Sequence, residues 1–251
     1  MIKIILLIAL SAYLLGAGLL YFFQRNLLYL PSDQYQHDFE EIDLLNDDEV
    51  ITVTVLNPSK SKTIIYFGGN AESVIFNEQP FRKNFPDHTF YLMNYRAYGG
   101  SSGNPSEQAL FSDALALFDR VVKKHESVSA FGRSLGSGVA SYLATQREIE
   151  ALALITPYDS IASVAQKRIP FYPVKLLLND HYNSAERAPS ISARVLIVMA
   201  ELDSVIPNWH SLELQRAFAH SNVVRLIKIN GADHNNVSIS EEYFDELRKL
   251  F

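Results

Sequence analysis

The stretch Ser127-Val128-Ser129-Ala130-Phe131-Gly132-Arg133-Ser134-Leu135-Gly136-Ser137-Gly138-Val139-Ala140-Ser141-Tyr142-Leu143-Ala144 decides the fold. Its first five residues read as a short apolar strand and its last seven as a helix. Between them stands Gly132-Arg133-Ser134-Leu135-Gly136, a G-x-S-x-G string in the strand, turn, helix context that lifts a serine hydroxyl clear of a sheet. Glycines two before and two after the serine let strand and helix backbones approach closely. Three fixed residues in five also arise by chance in loops, so the flanking elements carry the weight.

Outward from this turn, short continuous apolar runs alternate with longer amphipathic stretches from Thr63 on, the pattern of β-α units around a parallel sheet. Strands are expected at residues 63–67, 89–94, 127–131, 151–156, 195–200 and 223–229. Helices are expected at 106–125, with Pro105-Ser106 as turn and cap and Glu107 in the first turn, at 209–219 and at 241–250. After the Pro31-Ser32 break, residues 39–45 and 50–56 alternate apolar and polar around Asn46-Asp47-Asp48 and read as an antiparallel hairpin. The expected architecture is α/β: a mostly parallel central sheet with an antiparallel start and helices on both faces, without internal repeats.

A serine hydroxyl needs a base to take its proton and a carboxylate to orient that base. The α/β-hydrolase fold, which the elbow implies, requires the order serine, acid, histidine. Asp203, in Ala200-Glu201-Leu202-Asp203-Ser204, and His234, in Gly231-Ala232-Asp233-His234-Asn235, follow expected strands in that order. Parallel sheets place their sites at such strand ends. Taken singly, Asp203 is as readily a helix cap and His234 a solvated loop residue; the joint order favours a triad of Ser134, Asp203 and His234. Glu201 is the alternative acid, and Asp233 is set aside because adjacent loop side chains seldom face each other. The backbone N–H of Leu135 and that of Asn70, in the loop Gly68-Gly69-Asn70, are the candidate oxyanion donors, against a simple glycine turn at the second.

The chain has 251 residues, 48% of them hydrophobic, enough for one large core. Net charge is −6, and the only charge before Gln24 is Lys3, so the rest is more acidic still. That argues against a nucleic-acid partner. With no cysteine there is no disulfide, thiolate metal site or cysteine nucleophile. The seven histidines lack metal-ligand spacing, so neither a metal nor another cofactor is expected. Residues 4–23 carry no charge and would make about 30 Å of helix, one hydrocarbon core. Gly16-Ala17-Gly18 is followed by five more apolar residues, unlike a signal-cleavage site. An uncleaved anchor within residues 1–30, with the transmembrane helix at about 4–23, is therefore expected ahead of a hydrolase domain at 31–251; a buried helix is the alternative. Tyr21, Phe22, Phe23 and Tyr29 beside Arg25 read as an interfacial belt with a cationic stop. Gly16 and Gly18 lack four-residue spacing and read as ordinary anchor positions.

Several segments resemble one family. They are 23–32 (Phe23-Gln24-Arg25-Asn26-Leu27-Leu28-Tyr29-Leu30-Pro31-Ser32), 67–72 (Phe67-Gly68-Gly69-Asn70-Ala71-Glu72) and 94–107, together with the Ser134 elbow, the Asp203 turn and the His234 loop. The chain is similar in these to membrane-anchored α/β-hydrolases related to fission-yeast Bem proteins and the ABHD depalmitoylase-like enzymes. Gly68 stands where such relatives often have His, and Ala97 and Ala200 where they often have Gly. The resemblance implies a serine hydrolase of esters or thioesters. The segment 169–178, with two prolines and an apolar run, is expected to form a small cap that roofs an acyl pocket or packs a crossing helix. An acyl-ester or thioester substrate, probed first on lipids and acyl-proteins, is the leading reading. A peptidase or amidase using the same triad and a catalytically silent, membrane-tethered interaction protein, the latter suggested by Gly68, are the alternatives.

Overall fold

A computed structural model describes residues 1–218 and 224–251. The chain opens with helix α1 (Ile2–Leu28), then the hairpin β1 (Glu40–Asn46) and β2 (Glu49–Leu56). It continues through β3 (Lys62–Phe67), α2 (Glu78–Asn84), β4 (His88–Met93), α3 (Glu107–Val121), β5 (Ser127–Arg133) and α4 (Leu135–Gln146). The second half comprises β6 (Ala151–Ile155), α5 (Ile161–Arg168), α6 (Val174–Leu177), α7 (Ser184–Arg187), β7 (Arg194–Ala200), α8 (Trp209–Ala217), β8 (Val224–Ile229) and α9 (Glu241–Leu250).

The strands form one sheet in the order β1-β2-β4-β3-β5-β6-β7-β8. The pairs β1·β2 and β2·β4 are antiparallel and the remaining five are parallel. Asp47 and Asp48, with φ of 50° and 61°, close the β1–β2 hairpin as a two-residue turn whose twist suits the strands. Alternate residues of each parallel strand enter different cores, which is why these strands read as continuous apolar runs. Ile65 and Phe67 pack with Leu110 of α3, Val139 of α4 and Leu214 of α8. Ile64 and Tyr66 pack with Phe81 of α2 and Leu247 of α9.

Helix α3 is shorter than expected. It is capped as anticipated by Ser106, whose Oγ accepts from Ala109 N, but it stops at Val121. Lys124 N bonds back to Val121 O and Glu126 N to Ser61 O, which turns the chain into β5. Helix α8 ends at Ala217; Ala219, the expected end, and Val223, the expected first residue of β8, lie outside the described residues.

Helix α1 is longer than the 20 residues expected and is apolar and long enough to cross a membrane. Gln24 alone among its residues is buried. Two expectations about this region change. Tyr29 is not part of an exposed belt: it is 3% exposed, and its hydroxyl bonds to Asp180 (3.2 Å) and Tyr182 (2.8 Å). Arg25 is tied to the same Asp180 at 2.9 Å. Gly16 is a packing position after all, because a Cβ there would overlap the Tyr172 hydroxyl, whereas Gly18 has open space around it.

The stretch from Asn94 to Glu107 buttresses the loop after β3. Tyr95 donates to Gly68 O and Tyr98 to Asn70 Oδ1, both at 2.7 Å, while Arg96 pairs with the fully buried Asp113 at 2.8 Å. Ala97 adopts φ of 68° and is exposed, so its side chain bears left-handed strain without packing in return. Ala97→Gly is expected to raise stability by about 1 kcal/mol, the relief of that strain less the entropy glycine adds to the unfolded chain. Urea unfolding would show this as a higher midpoint at unchanged slope.

Candidate active site

At the end of β5 the chain reverses through Ser134 with φ 49° and ψ −114°, a conformation that a side chain disfavours. Three contacts hold it there. Ser134 N donates to Ile155 O (2.9 Å), Ser137 Oγ donates to Ser134 O (2.6 Å) and the Tyr158 hydroxyl donates to Leu135 O (2.9 Å). A Cβ on Gly132 would overlap the Gly136 carbonyl, and one on Gly136 the Phe67 carbonyl. The two glycines are thus required by the close crossing of α4 over β5 and β3.

Ser134 Oγ lies 2.9 Å from His234 Nε2, and His234 Nδ1 lies 2.8 Å from Asp203 Oδ2. The other carboxylate oxygen of Asp203 accepts from Val205 N (2.9 Å) and Ile206 N (2.7 Å), fixing the carboxylate plane. His234 and Asp203 are both buried. The structure thus brings the three side chains into one hydrogen-bonded line. Glu201 is elsewhere: its carboxylate accepts from Gly231 N (2.8 Å) and faces Lys228, and these lower its pKa. Asp233 turns back on its own loop, accepting from Asn235 N and Asn236 N.

Asn70 and Leu135 both reach the cavity beside Ser134. Leu135 opens α4, so its N–H has no acceptor within the helix. In the loop after β3, Gly69 N is taken by Glu72 Oε2 (2.7 Å), which makes Asn70 the next residue able to offer a backbone donor. The Asn70 side chain accepts from Leu30 N (2.9 Å) and Tyr98 and donates to Leu28 O (2.7 Å). A Cβ on Gly68 would press on Val74, so a larger residue at this position requires that valine to move.

Sequence reasoning missed the group that joins these loops. Arg133, the residue before Ser134, donates to Glu72 Oε2 (2.7 Å) and to the backbone carbonyl of His234 (3.1 Å). Glu72 also accepts from Tyr66 (2.6 Å) and Asn77 (2.7 Å). Burial alone would raise the Glu72 pKa, but the Arg133 charge and the hydrogen bonds from Tyr66, Gly69 N and Arg133 outweigh it and leave the carboxyl below its ordinary value. The only signal for the pair was a charge inside the elbow and a carboxylate three residues past Gly69.

A cavity of about 290 Å³ runs from Ser134 between α5, α6 and the last turns of α1. Ile161 and Val164 line one side, Val174 and Leu177 of the cap another, and Leu20 and Leu28 of α1 a third. The segment 169–178 does roof the site, and its α6 turn is part of that roof. A wall contributed by α1 itself was not foreseen. Among the described residues there is no cluster of His, Asp or Glu suited to a metal ion.

No family model matches the chain. An uncharacterized protein of Mycobacterium tuberculosis is 38% identical over 149 residues, 58% of this chain and 52% of that protein. An alpha/beta hydrolase domain-containing protein of Caenorhabditis elegans is 28% identical over 166 residues, 64% of this chain and 48% of that protein. These matches span about half the length of either relative. Among solved structures, the Pyrococcus furiosus esterase Pf2001 superposes with a TM-score of 0.69 at 16% identity, over 88% of this chain and 95% of that one. Est1E from Butyrivibrio proteoclasticus with bound ferulic acid gives 0.68 at 16% identity, over 82% and 97%. The chain has the α/β-hydrolase fold.

Proposed function

We propose that this protein is a membrane-anchored serine hydrolase that cleaves carboxylic esters or thioesters of acyl groups. The observation that carries the reading is the line from Ser134 Oγ through His234 to Asp203, with Ser134 lining a mostly apolar cavity. Residues 1–30 serve as anchor and residues 31–251 as catalytic domain, with α1 contributing a wall to the site.

In the first half-reaction, Ser134 Oγ attacks the acyl carbonyl as its proton passes to His234 Nε2, and Asp203 stabilises the imidazolium at Nδ1. The carbonyl oxygen becomes an oxyanion and takes hydrogen bonds from Leu135 N and Asn70 N; loss of one such donor typically lowers turnover about 10²–10³-fold. Collapse breaks the bond to the leaving alcohol or thiol, which receives the proton from His234. Water, deprotonated by His234, then releases the acid from the acyl-serine. The lining is apolar apart from Gln24, Asn70, Ser134, Tyr158 and Arg168, and its long Leu, Ile and Val walls favour an acyl chain over a strongly polar group.

A fluorophosphonate probe tests this reading. The full chain is expected to label at Ser134, and Ser134→Ala is expected to lose the label and ester hydrolysis together. An unlabelled parent protein would instead indicate a silent, membrane-tethered interaction protein, and a labelled one that turns over amides but not esters would indicate a peptidase or amidase.

A further inference from the structure

Helix α1 does not leave the domain at its last turn. It remains attached to the cap as far back as Tyr13, whose hydroxyl donates to Phe171 O (3.0 Å) and whose ring stacks on Tyr172 at 4.7 Å. Gly16 admits the Tyr172 hydroxyl, and Gln24 is clamped to the far end of the cap, donating to Leu177 O (3.2 Å) and accepting from Asn179 N (2.6 Å). From Tyr13 to Arg25, about 18 Å of helix axis runs beside the cap at 1.5 Å per residue.

This register has a consequence for the bilayer. If the cap stayed in water, only Ile2 to Ala12 would remain to cross the membrane, about 16 Å of helix against a hydrocarbon core of about 30 Å. A spanning α1 therefore carries the cap in with it. The cap is built for that solvent. Phe171 and Leu176 are 84% and 85% exposed, and Pro170 and Pro173 bring no N–H.

Backbone polar groups in hydrocarbon must be satisfied internally. Here side chains do it: Gln166 donates to Tyr172 O (2.9 Å) and accepts from Val174 N (3.0 Å), while Tyr13 and Gln24 serve Phe171 O and Leu177 O. The one charge in the segment, Lys175, is exposed and has a stem long enough to carry its ammonium towards the headgroups. The catalytic cavity opens along the same face, since Leu27 lines it and is also 63% exposed on α1.

We propose that residues 169–178 and the adjoining face of α1 are immersed among the acyl chains of one leaflet. The cavity then receives the acyl chain of its substrate sideways from the bilayer rather than from water. This rests on the hydrolase reading above and names its substrate class: long-chain acyl esters or thioesters resident in the membrane.

Because the chain has no cysteine, single cysteines report position without background. The full-length protein carrying Phe171→Cys or Leu176→Cys, reconstituted into phosphatidylcholine vesicles, is exposed to a membrane-impermeant maleimide. Val122→Cys, at the opposite end of the sheet, is the exposed control. Cysteines at 171 and 176 are expected to react in detergent but be protected in vesicles, and a bimane label on them to be quenched by nitroxides on lipid acyl chains. Reaction in vesicles as fast as at 122 overturns the immersion.

A second readout follows the route. Phe171→Asp combined with Leu176→Asp is expected to lower the rate on a vesicle-borne palmitoyl ester relative to that on p-nitrophenyl acetate by at least about tenfold, given the penalty for charge in hydrocarbon. Rates are taken per fluorophosphonate-reactive enzyme. An unchanged ratio overturns the lateral route while leaving the hydrolase reading intact; a parent protein that never labels defeats that reading instead.

Discussion

Asp203→Asn is expected to lower kcat for ester hydrolysis by about four powers of ten with the fold intact, the scale of a triad whose histidine is held in the wrong tautomer. The local geometry makes this the outcome. Val205 N and Ile206 N both donate to Asp203 Oδ1, so an asparagine must keep its carbonyl oxygen there. Its amide nitrogen then takes the place of Oδ2, 2.8 Å from His234 Nδ1. An N–H aimed at Nδ1 makes that nitrogen an acceptor and moves the ring proton to Nε2, against Ser134 Oγ. The base is present, in place and unable to accept. Matched Tm values with a collapse in kcat would bear this out; a fall of less than about tenfold would remove Asp203 from the triad.

Arg133→Met is expected to destabilise the protein by about 3–5 kcal/mol, since it leaves the Glu72 carboxylate buried beside Tyr66 without its cation. In the parent protein, the Glu72 pKa is lowered on folding. Its contribution is therefore complete above the ordinary carboxylate pKa of about 4 and lost as pH falls through the lower folded value. In the variant the charge that most lowers the Glu72 pKa is gone while burial still raises it, so the folded pKa lies above that of the parent and the deficit is largest where the carboxylate is ionised. The gap between the urea midpoints of the two proteins should thus narrow as pH falls from neutral into the carboxylate range, and a gap that stays constant throughout would show that Arg133 acts only through packing. Activity should fall as well, because Arg133 also holds the His234 carbonyl.

Legibility followed the range of the forces involved. The elbow could be read because a strand, a strained turn and a helix are neighbours in the chain, and the steric demand on Gly132 and Gly136 arises within that neighbourhood. The strands of the parallel sheet could be read because both faces are covered, leaving long apolar runs. By contrast, Tyr29 has the composition of an interfacial residue, and only its distant partners Asp180 and Tyr182 make it part of the core. The same holds for Gly16, whose meaning lies in Tyr172, and for Arg133, whose partner Glu72 is on another loop. The end of α3 went unread for a different reason. Lys123 and Lys124 suit a helix, but the pull of Glu126 towards Ser61 stops it earlier.

The side chain of Asn70 is bonded to Leu28 O and Leu30 N, and the cavity is walled in part by Leu20 and Leu28. Cutting the chain before Pro31, so as to remove α1, would leave the Asn70 side chain with Tyr98 alone and Tyr182 and Asp180 without Tyr29. A protein truncated in this way would retain Ser134, Asp203 and His234 but lose one wall of the cavity beside them.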